Sequence, residues 1–421
     1  MELLYIDPGT GSMLFSVLIG ATATLYFLAR AVILKLKFIL GGKKGASQVD
    51  ASYRPYVIYS EGGQYWNVFK PVVDEFERRK ISLSYLTSSK DDPVFAQQYE
   101  YVKPEFIGEG NTAFARLNML SAGFVLATTP GLGVYQWKRS KNVKHYSHVL
   151  HMPNDATTYR LFGLDYFDSV LLTGDYQKED LRTLEIQRGL SPKVLETVGC
   201  TYLDVLSEKI KSLPAEEGHT FTVLVSPSWG DVGVLKRYGE RLLDPLAETG
   251  WHIIIRPHPQ SKKSEADMLA RLEQRYADKS NVEWDYNRDN IHSMKRADIM
   301  ISDFSGIIFD YTFLCDKPVM YVNADIDLRP YDAYDLHKQL WQFSVLEKMG
   351  IKLNEADFMD IKTVIRNAND SPVLAAERKN AKQTAWMYEG EAGRRIAEFM
   401  LRTVEEQTQQ TNSAGSSEQK S

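Results

Sequence analysis

The stretch ADIMISDFSGIIFD, residues 297–310, reads as three pieces in a row. An apolar run of strand length comes first, then the turn Ser302-Asp303-Phe304-Ser305-Gly306, then a helical segment that starts at once. Such a turn offers free backbone N–H groups, the hydroxyls of Ser302 and Ser305, and the positive end of a helix dipole, so it suits a phosphate. In a doubly wound sheet it would lie at the carboxyl end of a strand, where ligands bind. An ordinary helix cap through Ser302 or Asp303 accounts for the same residues. Asp303 cannot favour a phosphate by charge; it would cap, orient a neighbour or meet a neutral hydroxyl.

The surrounding sequence repeats the strand–turn–helix rhythm. FTVLVS at 221–226 leads into Ser226-Pro227-Ser228-Trp229-Gly230, where Trp229 could contact a base or a sugar. WHIII at 251–255 leads into Arg256-Pro257-His258-Pro259, whose prolines hold the imidazole and guanidinium at the strand's end at low entropic cost. A surface turn with an incidental histidine is the plainer alternative. The first half shows the same alternation, with strands expected near 56–59, 82–86, 123–128, 148–150, 169–173 and 193–198 and helices between them. Two successive units of this kind predict two Rossmann-like domains facing a cleft, each a parallel sheet covered on both faces. The expected divisions are 46–210 for the first domain, 211–385 for the second, 386–406 for a closing helix and 407–421 for a polar, disordered tail.

Composition sets bounds. The chain has 421 residues, 43% hydrophobic and 25% charged, which is globular. A net charge of −5, with no Lys/Arg stripe interleaved with aromatics, argues against nucleic acid as a partner. The two cysteines, Cys200 and Cys315, have no metal-binding spacing and form no disulfide framework.

Residues 1–45 read differently. MLFSVLIGATATLYFLA, 13–29, carries no charge, and the apolar pattern continues past Arg30 to 34. A span needs roughly 20 residues. No basic segment precedes the run, which argues against a signal peptide. An interfacial helix stays open because Arg30 shortens the run. The reading adopted is an N-terminal transmembrane helix, followed by a linker with Lys35, Lys37, Lys43 and Lys44. The excess of basic residues after it predicts a single-pass inner-membrane protein with its catalytic domains in the cytoplasm.

His145, His148 and His151 stand three apart. The spacing raises a structural metal, but the segment looks extended and no further ligands cluster near it. A general base is the better reading for one of them, and His151, just before the loop Met152-Pro153-Asn154-Asp155, is best placed. The Gly-rich loop Thr128-Thr129-Pro130-Gly131-Leu132-Gly133 matches no nucleotide-binding fingerprint.

Taken in order, Arg256-Pro257-His258-Pro259, then 297–300 leading into Ser302-Asp303-Phe304-Ser305, then Lys317-Pro318-Val319 resemble the C-terminal half of the CDP-glycerol glycerophosphotransferases. These are teichoic-acid primase- and polymerase-like enzymes of GT-B architecture. His148-Val149-Leu150-His151-Met152-Pro153 is similar to that family's first-domain histidine motif. The resemblance implies that His151 and His258 are catalytic, with His151 the base. It implies that His258, Ser302 and Ser305 bind the donor pyrophosphate with Asp303 beside them. Arg256, Gly306, Ser228 and Trp229 complete the expected donor-binding set. Two positions depart from the pattern: Met152 replaces a glycine and Gly306 a serine. The expected reaction transfers glycerol phosphate, or a related polyol phosphate, from a CDP-activated donor to an acceptor hydroxyl. The acceptor would be a lipid-linked cell-envelope glycan, and CMP would be released. A GT-B glycosyltransferase using a nucleotide sugar, and a non-catalytic membrane-associated assembly protein, are the alternatives. No cofactor is firmly implied, although a Mg²⁺ held jointly with the donor diphosphate would leave little trace.

Overall fold

A computed structural model describes residues 53–418 apart from 215–217, 288, 304 and 323–325; the side chains of 411, 412 and 414–418 are likewise not described. Two parallel sheets dominate it. The first contains β1 (Arg54–Ser60), β2 (Leu83–Thr87), β3 (Val102–Phe106), β4 (Ala122–Ala127), β5 (Val143–Val149), β6 (Ser169–Leu172) and β7 (Val194–Thr197), in the order 3-2-1-4-5-6-7. The second contains β8 (Thr222–Val225), β9 (His252–Ile255), β10 (Val282–Trp284), β11 (Ile299–Ser302), β12 (Val319–Tyr321) and β13 (Gly350–Lys352), in the order 10-9-8-11-12-13.

These orders follow from the sequence. Crossover connections, most of them carrying a helix, give parallel pairing, and cover on both faces buries the central strands completely. Every residue of β4, β8 and β11 is buried. Neighbouring side chains along a strand enter different cores: Val223 and Val225 pack on one face of the second sheet, and Leu224 on the other. Each sheet reverses its winding once, between β1 and β4 and between β8 and β11. At such a reversal the flanking connections leave toward opposite faces, which opens a crevice at the strands' carboxyl ends. The two crevices carry the loops after β1 and β4 in one half, and the loops after β8 and β11 in the other.

The chain closes on the sheet where it began. Ile396, Ala397, Phe399 and Met400 of the last helix (Ala392–Glu418) pack with Ile58, Phe69 and Phe124 of the first half. Gly393 permits the approach, since a Cβ there would lie 2.6 Å from the Pro71 carbonyl. Asp204 fixes the crossing point: its carboxylate accepts from Trp386 Nε1 (2.8 Å), Gly390 N (2.8 Å) and Ala392 N (3.2 Å). The last helix continues through 407–418, a stretch whose polar composition had suggested disorder.

One expectation is corrected. No helix among the described residues is long and apolar enough to cross a membrane. The stretch 13–34 lies outside the described residues. Its uncharged part is only 17 residues before Arg30, at the short end of the ~17–25 a span requires. The fold of the described residues is therefore two facing α/β domains with no transmembrane helix among them. The single-pass inner-membrane placement built on that helix falls with it.

Replacing Asp204 by Ala leaves three donors at the crossing without their acceptor. The expected loss is about 1–3 kcal/mol in urea unfolding. A change below ~0.5 kcal/mol, the range of an ordinary surface substitution, would mean that the crossing is held by apolar packing alone.

Candidate active site

At the second sheet's reversal, β8 and β11 are adjacent strands and their loops are bound together by one side chain. Asp303 is fully buried. Its carboxylate accepts from Ser228 N (2.9 and 3.2 Å), Ser305 N (3.1 Å) and Val234 N (3.4 Å). Burial pushes its carboxyl above the usual range, against the pull of these N–H groups. Ser302 is equally buried and donates its hydroxyl to the Ser226 carbonyl (2.6 Å). Ser302 and Asp303 thus build the turn from within, while Ser305 and Gly306 stand at its half-exposed lip, where the helix Ile307–Cys315 begins.

The loop after β9 joins them. His258 Nδ1 accepts from Gln260 N (3.1 Å), so a neutral ring carries its proton on Nε2. Burial lowers its pKa, and the charges of Asp303 and Glu265 oppose that shift. Trp229, 48% exposed, lies with its ring 6.5 Å from the His258 ring. Arg256 is turned elsewhere. Its guanidinium donates to Asp285 Oδ2 and to the Asn287 carbonyl, both at 2.6 Å.

On the first sheet, β5 delivers His151 to the rim. Nδ1 lies 2.8 Å from Thr128 Oγ1 and 3.4 Å from the Tyr159 hydroxyl, and the Tyr65 ring packs edge-on at 5.4 Å. Nε2 has no partner among the described residues. Burial drives the His151 pKa down to about 4, so the ring is neutral at physiological pH. His148 is fully buried against Tyr159, at about 3 for the same reason, and His145 pairs with Ser169 Oγ (2.8 Å). Strand alternation puts His145 and His148 on opposite faces of the sheet, so the three histidines do not converge, although His148 and His151 both meet the Tyr159 hydroxyl. Among the described residues no group of three or more His, Cys, Asp or Glu is arranged to hold a metal.

The two halves meet at the departures from the family pattern. A Cβ built on Gly306 would overlap Met152 Cε and lie 3.7 Å from Asn154 Nδ2. The residue after His151 therefore touches the lip of the Ser302–Gly306 turn, and the large and small residues are matched across the cleft. Asp155 adds a second tie, accepting from Trp341 N (3.1 Å) and Gln342 N (2.8 Å) of the helix Trp341–Met349. Burial raises its pKa to about 6. Arg188 completes the join through Asp165 (2.8 Å), Asp332 (2.7 Å) and Asp335 (2.7 Å). Sequence reasoning gave no role to Thr128, Tyr65, Tyr159 or Asp155: the partners of the others are distant along the chain, and Tyr159, 8 residues from His151, belongs to no pattern that marks it.

Residues 201–389 match the family model "CDP-Glycerol:Poly(glycerophosphate) glycerophosphotransferase". The chain carries a glycerophosphotransferase domain of this family. It is a CDP-glycerol glycerophosphotransferase-like enzyme. Among solved structures it is similar to the wall teichoic acid polymerase TagF, at 13% identity over 84% of this chain and 90% of that one, with a TM-score of 0.53. A TagF variant soaked with CDPG gives 14%, 85%, 90% and 0.53. The UDP-GlcNAc 2-epimerase of Methanocaldococcus jannaschii, in complex with UDP-GlcNAc and UDP, gives 12%, 83%, 99% and 0.53. At such identities these likenesses establish the shared two-domain GT-B-like fold. No curated protein sequence matches the chain.

Because burial holds His148 and His151 near 3 and 4, against 6.5 for a free imidazole, both resist protonation in the fold. The unfolded chain binds more protons over that interval, so stability falls as pH drops from about 6.5 toward 4. An NMR titration of the histidine Cε1 resonances should find His151 neutral down to about pH 5. Titration near 6.5 would contradict its burial.

Proposed function

We propose that the enzyme transfers glycerol phosphate, or a closely related polyol phosphate, from CDP-glycerol to an acceptor hydroxyl, releasing CMP. The acceptor hydroxyl belongs to a lipid-linked cell-envelope glycan. The observation that carries this reading is the Met152–Gly306 contact, which sets a neutral His151 one residue from the lip of a phosphate-type turn. The family match over the second half supports the donor.

In this reading the donor diphosphate lies over the Ser305–Gly306 lip, and Trp229 flanks its nucleoside. His151 Nε2 takes the proton of the acceptor hydroxyl as the oxygen attacks the β-phosphorus. The new P–O bond forms as the bond from that phosphorus to the bridging oxygen breaks, and the bridging oxygen leaves with CMP. His258 Nε2–H and the positive end of the helix Ile307–Cys315 stabilise the negative charge that moves onto the phosphate oxygens. Ser302, Asp303 and Arg256 act from behind, holding the loops. A base with a pKa near 4 is weak, but a bound diphosphate brings negative charge beside the imidazole and raises its basicity when the substrate is present.

His151→Ala and His258→Ala should each reduce CMP release from CDP-glycerol by about 10²-fold or more, within the ~10²–10⁴ range of a positioned proton-transfer group. Their melting temperatures should stay close to that of the parent. Release of UDP from nucleotide sugars with no turnover of CDP-glycerol would replace this reading with a glycosyltransferase. Gly306→Ala should slow CMP release by pushing Met152 Cε out of place, and adding Met152→Ala should restore most of the rate. The overlapping atom is the end of a flexible thioether, so both variants should fold. Equal loss in the single and double variants would show that the size match is incidental.

A further inference from the structure

A cavity of about 420 Å³ opens at the first sheet's reversal, outside the turn that the donor reading uses. Glu61, from the loop after β1, and Thr129, from the loop after β4, form its inner edge, with Thr129 Oγ1 donating to Glu61 Oε2 (3.2 Å). Phe114, Tyr135, Trp137 and Arg160 supply the rest of the wall. The preceding residue, Thr128, carries the hydroxyl 2.8 Å from His151 Nδ1, so the cavity adjoins the candidate base.

Its lining has unspent hydrogen-bonding capacity. Trp137 is 2% exposed, held by edge contacts with Tyr59 and Tyr146, and its Nε1–H finds no acceptor among the described residues. A buried donor without a partner calls for an explanation, and an acceptor group on a ligand is one. Arg160 is exposed and forms no ion pair among the described residues, and Glu61 likewise meets no cation there. The Tyr135 ring is 47% exposed at the mouth. One cation and one anion cancel, so the cavity favours a neutral guest over a polyanionic chain. Aromatic faces suit an apolar ring face, and the carboxylate, guanidinium and indole suit a set of hydroxyls that both donate and accept. The volume falls within the ~300–1,000 Å³ of ordinary ligand pockets.

We infer that this cavity is the acceptor subsite, and that the unit it holds is a neutral saccharide ring whose reacting hydroxyl faces His151. The inference rests on the reading of His151 as the base. The Tyr135 ring carries the sugar face, Glu61 and Arg160 bracket its hydroxyls, and Trp137 Nε1–H donates from the wall. A second binding mode, in which a glycerol phosphate chain lies in the cavity, would need an excess of cations that the lining lacks.

The test uses the full chain with two probes, methyl β-glucoside and a short oligo(glycerol phosphate), and follows the indole ¹H–¹⁵N resonances. The glucoside should shift the Trp137 resonance at millimolar concentration. Tyr135→Ala and Arg160→Met should each weaken that binding at least fivefold, and Trp137→Phe, which keeps the ring and removes the N–H, at least threefold. With CDP-glycerol as donor and a saccharide acceptor, Tyr135→Ala should raise the acceptor KM more than tenfold while moving the donor KM less than twofold. Binding of the oligo(glycerol phosphate) but not the glucoside, or an acceptor KM indifferent to Tyr135, would overturn the inference. Binding needs no turnover: saccharide binding without CMP release would leave the cavity assignment standing and remove the donor reading.

Discussion

The architecture turns on a buried carboxyl. Asp303 sits where the second sheet reverses its winding, and there two strand ends would otherwise splay apart. Taking a carboxyl out of water is costly, and it is retained only where N–H groups replace the lost hydration. Three backbone amides do so here, from Ser228, Ser305 and Val234, and they belong to both loops flanking the reversal. One side chain therefore sets the spacing of the two lips between which a donor would lie. Asp303 works through backbone geometry, which explains why an acidic residue stands in a turn suited to an anion.

From that point the structure extends to the other half by contact. Met152 meets Gly306, Asp155 caps the helix Trp341–Met349, and Arg188 binds a cluster of carboxylates from both sides of the join. Two of these ties, Met152 and Asp155, begin in the loop that follows His151. The base and the turn are thus connected by a short run of packed atoms. A long side chain and the absence of one are paired across the gap, so the two departures from the family pattern match in size.

The sequence was most readable where burial is complete. β8 and β11 are apolar throughout because a central parallel strand has no solvent face, and such runs are visible in a single sequence. β3, the edge strand VKPEF, was not anticipated: it is half exposed and contains Pro104, which cannot donate to a ladder. β13 has only three residues and no pattern to detect. At the candidate site, residue types in order pointed to these turns, but orientation was hidden. Nothing in Arg256-Pro257-His258-Pro259 reveals that the guanidinium would turn back to Asp285 while the imidazole stays beside Trp229. Asp155 could not be found because its partners lie 186 and 187 positions away. The apolar run at 13–29 lies outside the described residues, and hydropathy alone does not separate a short span from other apolar segments.

The central claim is that one donor diphosphate is held between the turn built by Asp303 and the imidazole of His151. A crystal structure of the chain soaked with CDP-glycerol tests it most directly. The account predicts the diphosphate over Ser305 and Gly306, with an oxygen in hydrogen-bond reach of His258 Nε2 and the β-phosphorus open toward His151 Nε2. A diphosphate bound away from the Ser302–Gly306 turn, or a β-phosphorus shielded from His151, would contradict it.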